Sequence, residues 1–236
     1  MPAIDEAIIL VGGLGTRLRS AVPDLPKPIA PVAGRPFLAW LLDHLARSGI
    51  RRTILSVGHG AALIRSAIGI QHNGMTVDYV EEREALGTGG ALRLALTLVR
   101  NTSAFALNGD TLFLVDLHRM GEAAQPEPSR LVVALRTVDN ADRYGTCVVE
   151  NGTIVAFAAA RSARQALING GVYVLPRGAF DPFDLPEKFS FEADFLERHV
   201  SALRPRALIS DREFIDIGVP ASYEAAQTLV PAWLSR

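Results

Sequence analysis

A short apolar segment that ends in two glycines places the strongest constraint on the fold. Residues 7–11 have the sequence AIILV, and Gly12 and Gly13 follow at once. A segment that is apolar at every position predicts a strand buried on both faces, which is typical of parallel sheets. Such a sheet needs helices on both sides, so the rest of the chain must supply them.

The first half of the chain alternates between strand-like and helix-like segments. Apolar residues at helical spacing predict helices from Pro36 to Gly49, over residues 61–68 and over residues 87–99. Further short strands are predicted at residues 53–57, 77–80 and 104–107. This order predicts an α/β fold with a doubly wound, mostly parallel sheet.

The second half is richer in strands. Asn151-Gly152 is a strong signal for a two-residue hairpin turn. The strand-like segments are residues 130–138, 146–150, 153–157 and 167–175. The chain then returns to a helix at 191–200, a strand at 214–217 and a helix at 221–229. We expect a single domain, residues 1–236, whose halves are residues 1–115 and 116–236.

Composition excludes several classes of protein. The 236 residues carry a formal net charge of −1, which argues against a nucleic-acid partner. No apolar stretch approaches the roughly 18 residues of a membrane span, and the acidic start lacks the positive charge of a signal peptide. Cys147 is the sole cysteine and falls in a predicted strand, which favours a packing role. We therefore expect a cytoplasmic protein with no membrane partner.

The loop after the first strand is suited to phosphate. Glycines allow a tight turn that brings backbone N–H groups close to phosphate oxygens, and Arg17 and Lys27 would add positive charge. The glycines alone would equally suit a plain tight turn. The loop is not a Rossmann fingerprint, because Arg17 stands where the third glycine is required. It is not a Walker loop either, because no Gly-Lys-Ser/Thr follows at the required spacing.

Two aspartates stand out near strands. Asp110 follows the predicted strand 104–107, at the edge of the sheet where α/β ligands usually bind. Asp216 is flanked by Phe214, Ile215 and Ile217, as in a buried strand that presents one carboxylate. Mg²⁺ takes one or two carboxylates together with substrate phosphate oxygens. Taken alone, an aspartate at a strand end is more simply explained as a turn or helix-cap residue.

Five motifs in order resemble the signature of the sugar-1-phosphate nucleotidyltransferases. They are Gly12-Gly13-Leu14-Gly15-Thr16-Arg17-Leu18, Pro26-Lys27-Pro28, Leu86-Gly87-Thr88-Gly89-Gly90, Asn108-Gly109-Asp110 and Phe214-Ile215-Asp216-Ile217-Gly218. The resemblance implies a Rossmann-like nucleotidyltransferase fold, with a nucleotide-binding half before residue 116 and a sugar-phosphate-binding half after it. It also implies two substrates, a nucleoside triphosphate and a sugar 1-phosphate, and a homo-oligomer as one possible state.

The resemblance assigns roles residue by residue. Catalytic roles fall to Arg17, Lys27 and Asp110, and Asp110 and Asp216 would hold Mg²⁺, the implied cofactor. The implied nucleotide-binding residues are Leu10, Gly12, Gly13, Gly15, Thr16, Glu81, Glu82, Gly87 and Thr88. The implied sugar-phosphate-binding residues are Asn108, Gly145, Arg161, Asn169, Gly170 and Glu192. A sugar phosphate is already mostly ionised at neutral pH, since its second pKa is about 6, so the reaction needs no general base.

Several features bear on which substrates are used. The acidic residues Glu81, Glu82 and Glu84 could accept hydrogen bonds from the guanine N1–H and N2–H₂ groups, although a solvated acidic loop would explain them equally. Segments such as Leu167-Ile168-Asn169-Gly170-Gly171 resemble those of family members that join GTP to D-glycero-α-D-manno-heptose 1-phosphate, for capsule or lipopolysaccharide synthesis. Mannose 1-phosphate guanylylation and N-acetylmuramate 1-phosphate uridylylation are alternatives. So is a nucleotide-binding protein that performs no transfer.

One stretch departs from the family pattern. Many members carry Phe-x-Glu-Lys, in which the glutamate contacts the sugar and the lysine contacts its phosphate. Here the sequence is Phe157-Ala158-Ala159-Ala160-Arg161, so both side chains are replaced. Arg161 or Arg164 is expected to take over the phosphate contact.

Overall fold

A computed structural model describes residues 4–13, 18, 22, 25–125, 130–139, 141, 145–158 and 165–235. The strands are β1 (Glu6–Leu10), β2 (Pro31–Val32), β3 (Arg35–Pro36), β4 (Arg52–Val57), β5 (Gln71–His72), β6 (Met75–Glu81), β7 (Ser103–Asn108), β8 (Thr111–Phe113), β9 (Val132–Val138), β10 (Thr146–Glu150), β11 (Thr153–Ala158), β12 (Ala166–Pro176), β13 (Arg206–Ser210) and β14 (Phe214–Asp216). The helices are α1 (Phe37–Arg47), α2 (Ala61–Ile68), α3 (Gly87–Leu96), α4 (Leu117–Ala123), α5 (Val200–Leu203) and α6 (Pro220–Leu234). A 3-10 turn covers Lys27–Ile29, and a π-helix covers Phe191–Glu197.

Ten strands form the central sheet in the order β10-β11-β13-β9-β12-β7-β1-β4-β6-β5. Strands β7, β1, β4 and β6 pair in parallel, as predicted for the first half. Strand β12 joins β7 and β9 in antiparallel orientation, and β13 then pairs in parallel with β9. The sheet is therefore parallel across β7, β1, β4 and β6 and mixed among the strands from the second half of the chain.

The opening apolar segment explains the double winding. In β1, Ile8 and Ile9 point to opposite faces and both are fully buried. Ile9 belongs to the hydrophobic cluster that includes α1 and α2, whereas Ile8 belongs to the cluster that includes α3 and the π-helix. Helices thus cover both faces of the sheet, which confirms the predicted fold class.

Most predicted elements are present, but several bounds differ and the short strands β2, β3, β5 and β8 were not predicted. The predicted helix 191–200 is a π-helix followed by the short α5, and α6 extends to Leu234 beyond the predicted end at residue 229. Helix α3 ends at Leu96 and not at residue 99. Strand β13 was not predicted, because its residues are half-buried and show no clear alternation. The hairpin signal is confirmed, since Asn151 and Gly152 both have positive φ and join β10 to β11.

In the described part of the chain, none of the helices has the length and apolar character needed to cross a bilayer.

Candidate active site

Two adjoining cavities lie at the carboxyl edge of the central strands. The first, of about 300 Å³, is lined by Leu10, Val11, Gly13, Lys27, Pro28, Thr88, Asn108, Gly109, Asp110 and Glu192. The second, of about 170 Å³, is lined by Asn108, Asp110, Thr111, Asn169, Gly170, Gly171, Phe214 and Asp216. Asn108 and Asp110 belong to both linings, so the cavities meet at the end of β7.

The floor of the first cavity is main chain that tolerates no side chain. The Gly109 N–H donates to the Leu10 carbonyl at 2.9 Å, and a Cβ on Gly109 would lie 2.5 Å from that oxygen. A Cβ on Gly12 would lie 2.9 Å from Glu82 Oε1 and 3.1 Å from the Gly58 nitrogen. These glycines therefore allow β1, β7 and the loop after β4 to approach closely.

Lys27 lies between the two aspartates that the sequence singled out. Its Nζ is 2.6 Å from Asp110 Oδ2 and 3.9 Å from Asp216 Oδ1. The lysine side chain is only 9% exposed, because the 3-10 turn that carries it is buried. Gly218 packs directly against this group, because a Cβ added at Gly218 would lie 2.7 Å from Asp216 Oδ1 and 3.0 Å from Lys27 Nζ.

A separate two-stranded sheet, formed by β8 and β14, brings the two aspartates close together. Strand β14 pairs antiparallel with β8, and Asp216 lies opposite Thr111. The Ile217 N–H donates to the Asp110 carbonyl at 3.0 Å, and the Gly218 N–H donates to Asp216 Oδ1 at 2.6 Å. This arrangement supplies two carboxylates beside an open cavity, which suits Mg²⁺ because that ion commonly completes its coordination with water and phosphate oxygens. Among the described residues there is no cluster of three or more His, Cys, Asp or Glu side chains that could hold a metal.

The first turn of α3 is built on the loop that precedes the π-helix. The Gly89 N–H donates to the Phe189 carbonyl at 2.9 Å, and a Cβ on Gly89 would lie 2.1 Å from the Phe189 ring. Gly87 has φ +72, and its Cβ would lie 2.5 Å from the same carbonyl oxygen. Glycine is therefore required at both positions, and Thr88 between them lines the first cavity.

The acidic residues before α3 have different environments. Glu82 Oε2 accepts a hydrogen bond from the Leu86 N–H at 2.9 Å, next to the start of α3, and its other carboxylate oxygen lies close to Gly12. Glu81 is exposed, and its carboxylate lies 3.7 Å from Arg65 Nη2. Glu81 is not among the residues that line either cavity.

Glu192 is held at the start of the π-helix. Ser190 caps this helix, because its Oγ accepts the Ala193 N–H at 3.1 Å, while Asp194 Oδ2 accepts the Ser190 N–H at 2.7 Å. Thr88 Oγ1 lies 3.4 Å from Glu192 Oε2, and the Tyr173 hydroxyl lies 3.5 Å from Glu192 Oε1. Glu192, which comes from the second half of the chain, is therefore one of the residues that line the first cavity.

Tyr173 is a residue to which sequence reasoning gave no role. Its ring is 1% exposed, and burial, with a smaller effect of the Glu192 charge, raises the pKa of its hydroxyl well above 10. Asn169 Nδ2 donates to this hydroxyl at 2.8 Å. The signal available in the sequence was its position two residues after Gly171, directly beyond the segment Leu167-Ile168-Asn169-Gly170-Gly171 that resembles the family.

The other sequence-predicted residues divide into two groups. Gly145 is described, is exposed and does not line either cavity. Gly15, Thr16, Arg17, Arg161 and Arg164 lie outside the described residues, so their assigned roles remain predictions.

With this fold and site in view, the chain belongs to the nucleotidyl transferase family, whose model matches residues 6–232. It is 43% identical over 222 residues to the D-glycero-alpha-D-manno-heptose 1-phosphate guanylyltransferase of Aneurinibacillus thermoaerophilus, covering 94% of this chain and 96% of that protein. The enzyme of the same name from Campylobacter jejuni is 42% identical over 219 residues, covering 92% and 96%. These matches confirm the family resemblance found in the sequence.

Solved structures give the same picture. The crystal structure of HddC from Yersinia pseudotuberculosis superposes with a TM-score of 0.84 at 33% identity, covering 95% of this chain and 98% of that one. The same protein complexed with GMP-PN gives 0.83 at 32% identity and the same coverage. A putative glucose-1-phosphate thymidylyltransferase from Bacillus anthracis, at 21% identity and TM-score 0.83, shares the fold.

Proposed function

We propose that the protein transfers the guanylyl group of GTP to D-glycero-α-D-manno-heptose 1-phosphate, giving a GDP-heptose and pyrophosphate. The observation that carries this proposal is the pair of cavities that meet at Asp110 beside Lys27. Identity of 42–43% over almost the whole chain to two enzymes of that name supports the choice of base and sugar. A GDP-activated heptose is a donor for glycosyl transfer, which we place in capsule or lipopolysaccharide synthesis.

The chemistry requires positive charge and alignment. A phosphate oxygen of the sugar phosphate attacks the α-phosphorus of GTP, the bond from that phosphorus to the bridging oxygen of the β-phosphate breaks, and pyrophosphate leaves. Charge builds on the phosphate oxygens during this displacement, so preorganised cations contribute most to the rate. Lys27 is suited to this role, because its ammonium group is fixed at the junction of the cavities. Arg17 would add a second cation from the glycine loop.

Asp110 and Asp216 are the residues that would hold Mg²⁺. Their carboxylates approach one cation, the Lys27 ammonium, and one of them lines both cavities. When bound there, Mg²⁺ would neutralise phosphate charge. The ammonium group of Lys27 balances the negative charge of the two aspartates.

We place the nucleotide in the part of the first cavity beside Gly13 and Lys27. The sugar phosphate lies in the second cavity, and its sugar reaches Glu192 on the far side of the first. Gly13 presents main chain and Thr88 a hydroxyl to the first cavity, while Glu82 lies behind them, close to Gly12 and bonded to the Leu86 N–H. Asn108, Asn169, Gly170 and Glu192 would bind the sugar, and Arg161 or Arg164 its phosphate.

The direct test is pyrophosphate release with Mg²⁺ over a grid of substrates. GTP, UTP, CTP, ATP and dTTP are each combined with the 1-phosphates of manno-heptose, mannose, glucose and N-acetylmuramate. We expect one dominant signal, for GTP with the manno-heptose phosphate. A dominant signal for mannose 1-phosphate would contradict the proposed sugar. Mannose 1-phosphate is included in the grid because a mannose-1-phosphate guanylyltransferase of Mycobacterium tuberculosis is 33% identical to this chain over 193 residues.

Binding of GTP, measured by calorimetry, separates the remaining cases. No turnover anywhere on the grid, together with tight GTP binding, would favour a nucleotide-binding protein that performs no transfer. The stretch 157–161, which lacks the family's glutamate and lysine, would then be the reason.

A further inference from the structure

A chain of side-chain hydrogen bonds connects the two cavities through the protein interior. Asn169, which lines the second cavity, donates from Nδ2 to the Tyr173 hydroxyl at 2.8 Å. That hydroxyl donates to Glu192 Oε1 at 3.5 Å, and Glu192 lines the first cavity. On the other side, Thr88 Oγ1 is 3.4 Å from Glu192 Oε2.

The direction of every bond in this chain is fixed by its neighbours. Asn169 Oδ1 accepts the Gly171 N–H at 3.0 Å, so its Nδ2 must face Tyr173. The Tyr173 oxygen accepts from Asn169, and its own proton is therefore directed to Glu192. Thr88 Oγ1 accepts the Phe191 N–H at 2.8 Å, which leaves its proton for the other oxygen of Glu192.

Glu192 is consequently an acceptor toward both hydroxyls. Each carboxylate oxygen can accept about two hydrogen bonds, and each receives one from the residues that the structure describes. One acceptor position on each oxygen therefore remains for a ligand in the cavity. A pair of neighbouring hydroxyl groups on a sugar fits two adjacent acceptors of this kind.

We propose that Tyr173 is a positioning residue for substrate binding, whose hydroxyl, together with that of Thr88, orients the Glu192 carboxylate to accept two hydroxyls of the substrate sugar. This inference rests on the proposed function, because it takes a sugar 1-phosphate as the ligand. The Tyr173 ring is packed edge-on against Phe191 with centroids 4.9 Å apart, so the hydroxyl has a fixed location. Its proton is retained at neutral pH, since the raised pKa keeps the phenol neutral.

The test is a double-mutant cycle with Tyr173→Phe and Glu192→Ala. Tyr173→Phe keeps the ring and removes the hydroxyl, and we expect the KM for the sugar 1-phosphate to rise about tenfold, with kcat and the KM for GTP within about twofold of wild type. If Tyr173 acts through Glu192, the double variant should have the same KM for the sugar as Glu192→Ala alone, which has no carboxylate left to orient. Additive effects, or a rise confined to the KM for GTP, would overturn the proposal.

Tyr223→Phe is the matched control, because its hydroxyl donates to the Pro31 carbonyl, outside the linings of both cavities. It should leave both KM values unchanged. A crystal structure of Tyr173→Phe gives a readout that does not depend on turnover. We expect the Glu192 carboxylate to leave its wild-type orientation, and an unmoved carboxylate would refute the positioning role. This readout holds whatever the substrate grid shows, so failure of the inference can be told apart from failure of the proposed function.

Discussion

His44 should make the fold sensitive to mild acid. It lies in α1, and its Nε2 is buried with no hydrogen-bond partner among the residues that the structure describes. Burial, together with the smaller effects of the Arg212 and Arg47 charges, lowers the pKa of His44 from 6.5 to about 4. The folded protein therefore holds this imidazole neutral, whereas the unfolded chain protonates it near pH 6.5.

The sign and size of the effect follow from proton linkage. Between pH 6.5 and about 4 the unfolded state binds more protons at His44, so the free energy of unfolding falls as the pH falls. A shift from 6.5 to about 4 corresponds to roughly 3 kcal/mol once both pKa values have been passed. At pH 5 about 2 kcal/mol of this should already be lost. Above pH 7 the contribution of His44 no longer changes.

Urea unfolding of wild type and His44→Leu, at intervals from pH 7.5 to 4.5, isolates this residue. Other titrating groups affect both proteins, so the difference between the two unfolding free energies should move by about 2 kcal/mol from pH 7 to pH 5. His118→Gln is the control, because it removes a 77% exposed imidazole. It shows how loss of an exposed histidine changes the dependence of the unfolding free energy on pH. Parallel curves for wild type and His44→Leu would refute the reasoning.

Three further predictions concern the site and the core. Asp110→Asn and Asp216→Asn should each lower kcat by at least about a hundredfold in Mg²⁺-containing buffer, with circular dichroism unchanged, because each removes a carboxylate that would bind the metal. Glu82→Ala should raise the KM for GTP about tenfold, because the Leu86 N–H, next to the turn of α3 that carries Thr88, loses its acceptor. Cys147, whose pKa burial raises to about 12, with Glu197 as a lesser cause, should react with a thiol reagent at pH 8 only after unfolding.

Controls for these variants are available in the same chain. Asp211→Asn removes a 76% exposed carboxylate paired with Arg136 and should leave kcat unchanged. Near-wild-type kcat in either site-aspartate variant would contradict the metal assignment. A Glu82→Ala variant with the wild-type KM for GTP would show that this carboxylate does not support the nucleotide cavity. Fast labelling of Cys147 in the folded protein would contradict its burial.

The central strands could be predicted because burial leaves a direct trace in the sequence. A strand covered on both faces has to be apolar at consecutive positions, and residues 7–11 and 104–107 show this. Asp110 could be located by the same logic, since a polar residue after such a strand must lie at the sheet edge. The turn at Asn151-Gly152 was equally local, because positive φ at both positions favours those two residues.

The remainder depends on contacts that leave no local pattern. The side chains of Phe191 and Phe195 are buried on the same side of the helix, and that spacing does not distinguish a π-helix from an α-helix. Tyr173 acquires its environment from Asn169 and Glu192, and Glu192 comes from another element. The position of Lys27 between two aspartates likewise arises only when residues 83 and 189 positions away in sequence fold against it.

The ladder between β8 and β14 has a consequence for how the site comes into being. Asp110 and the glycine loop are made in the first half of the chain, but Asp216 arrives with β14, the last strand in the described sequence. A nascent chain that has not yet delivered Phe214 has the first glycines and one of the two carboxylates, and Thr111 has no partner strand opposite it. On the metal assignment proposed above, turnover therefore requires that β14 has first paired with β8.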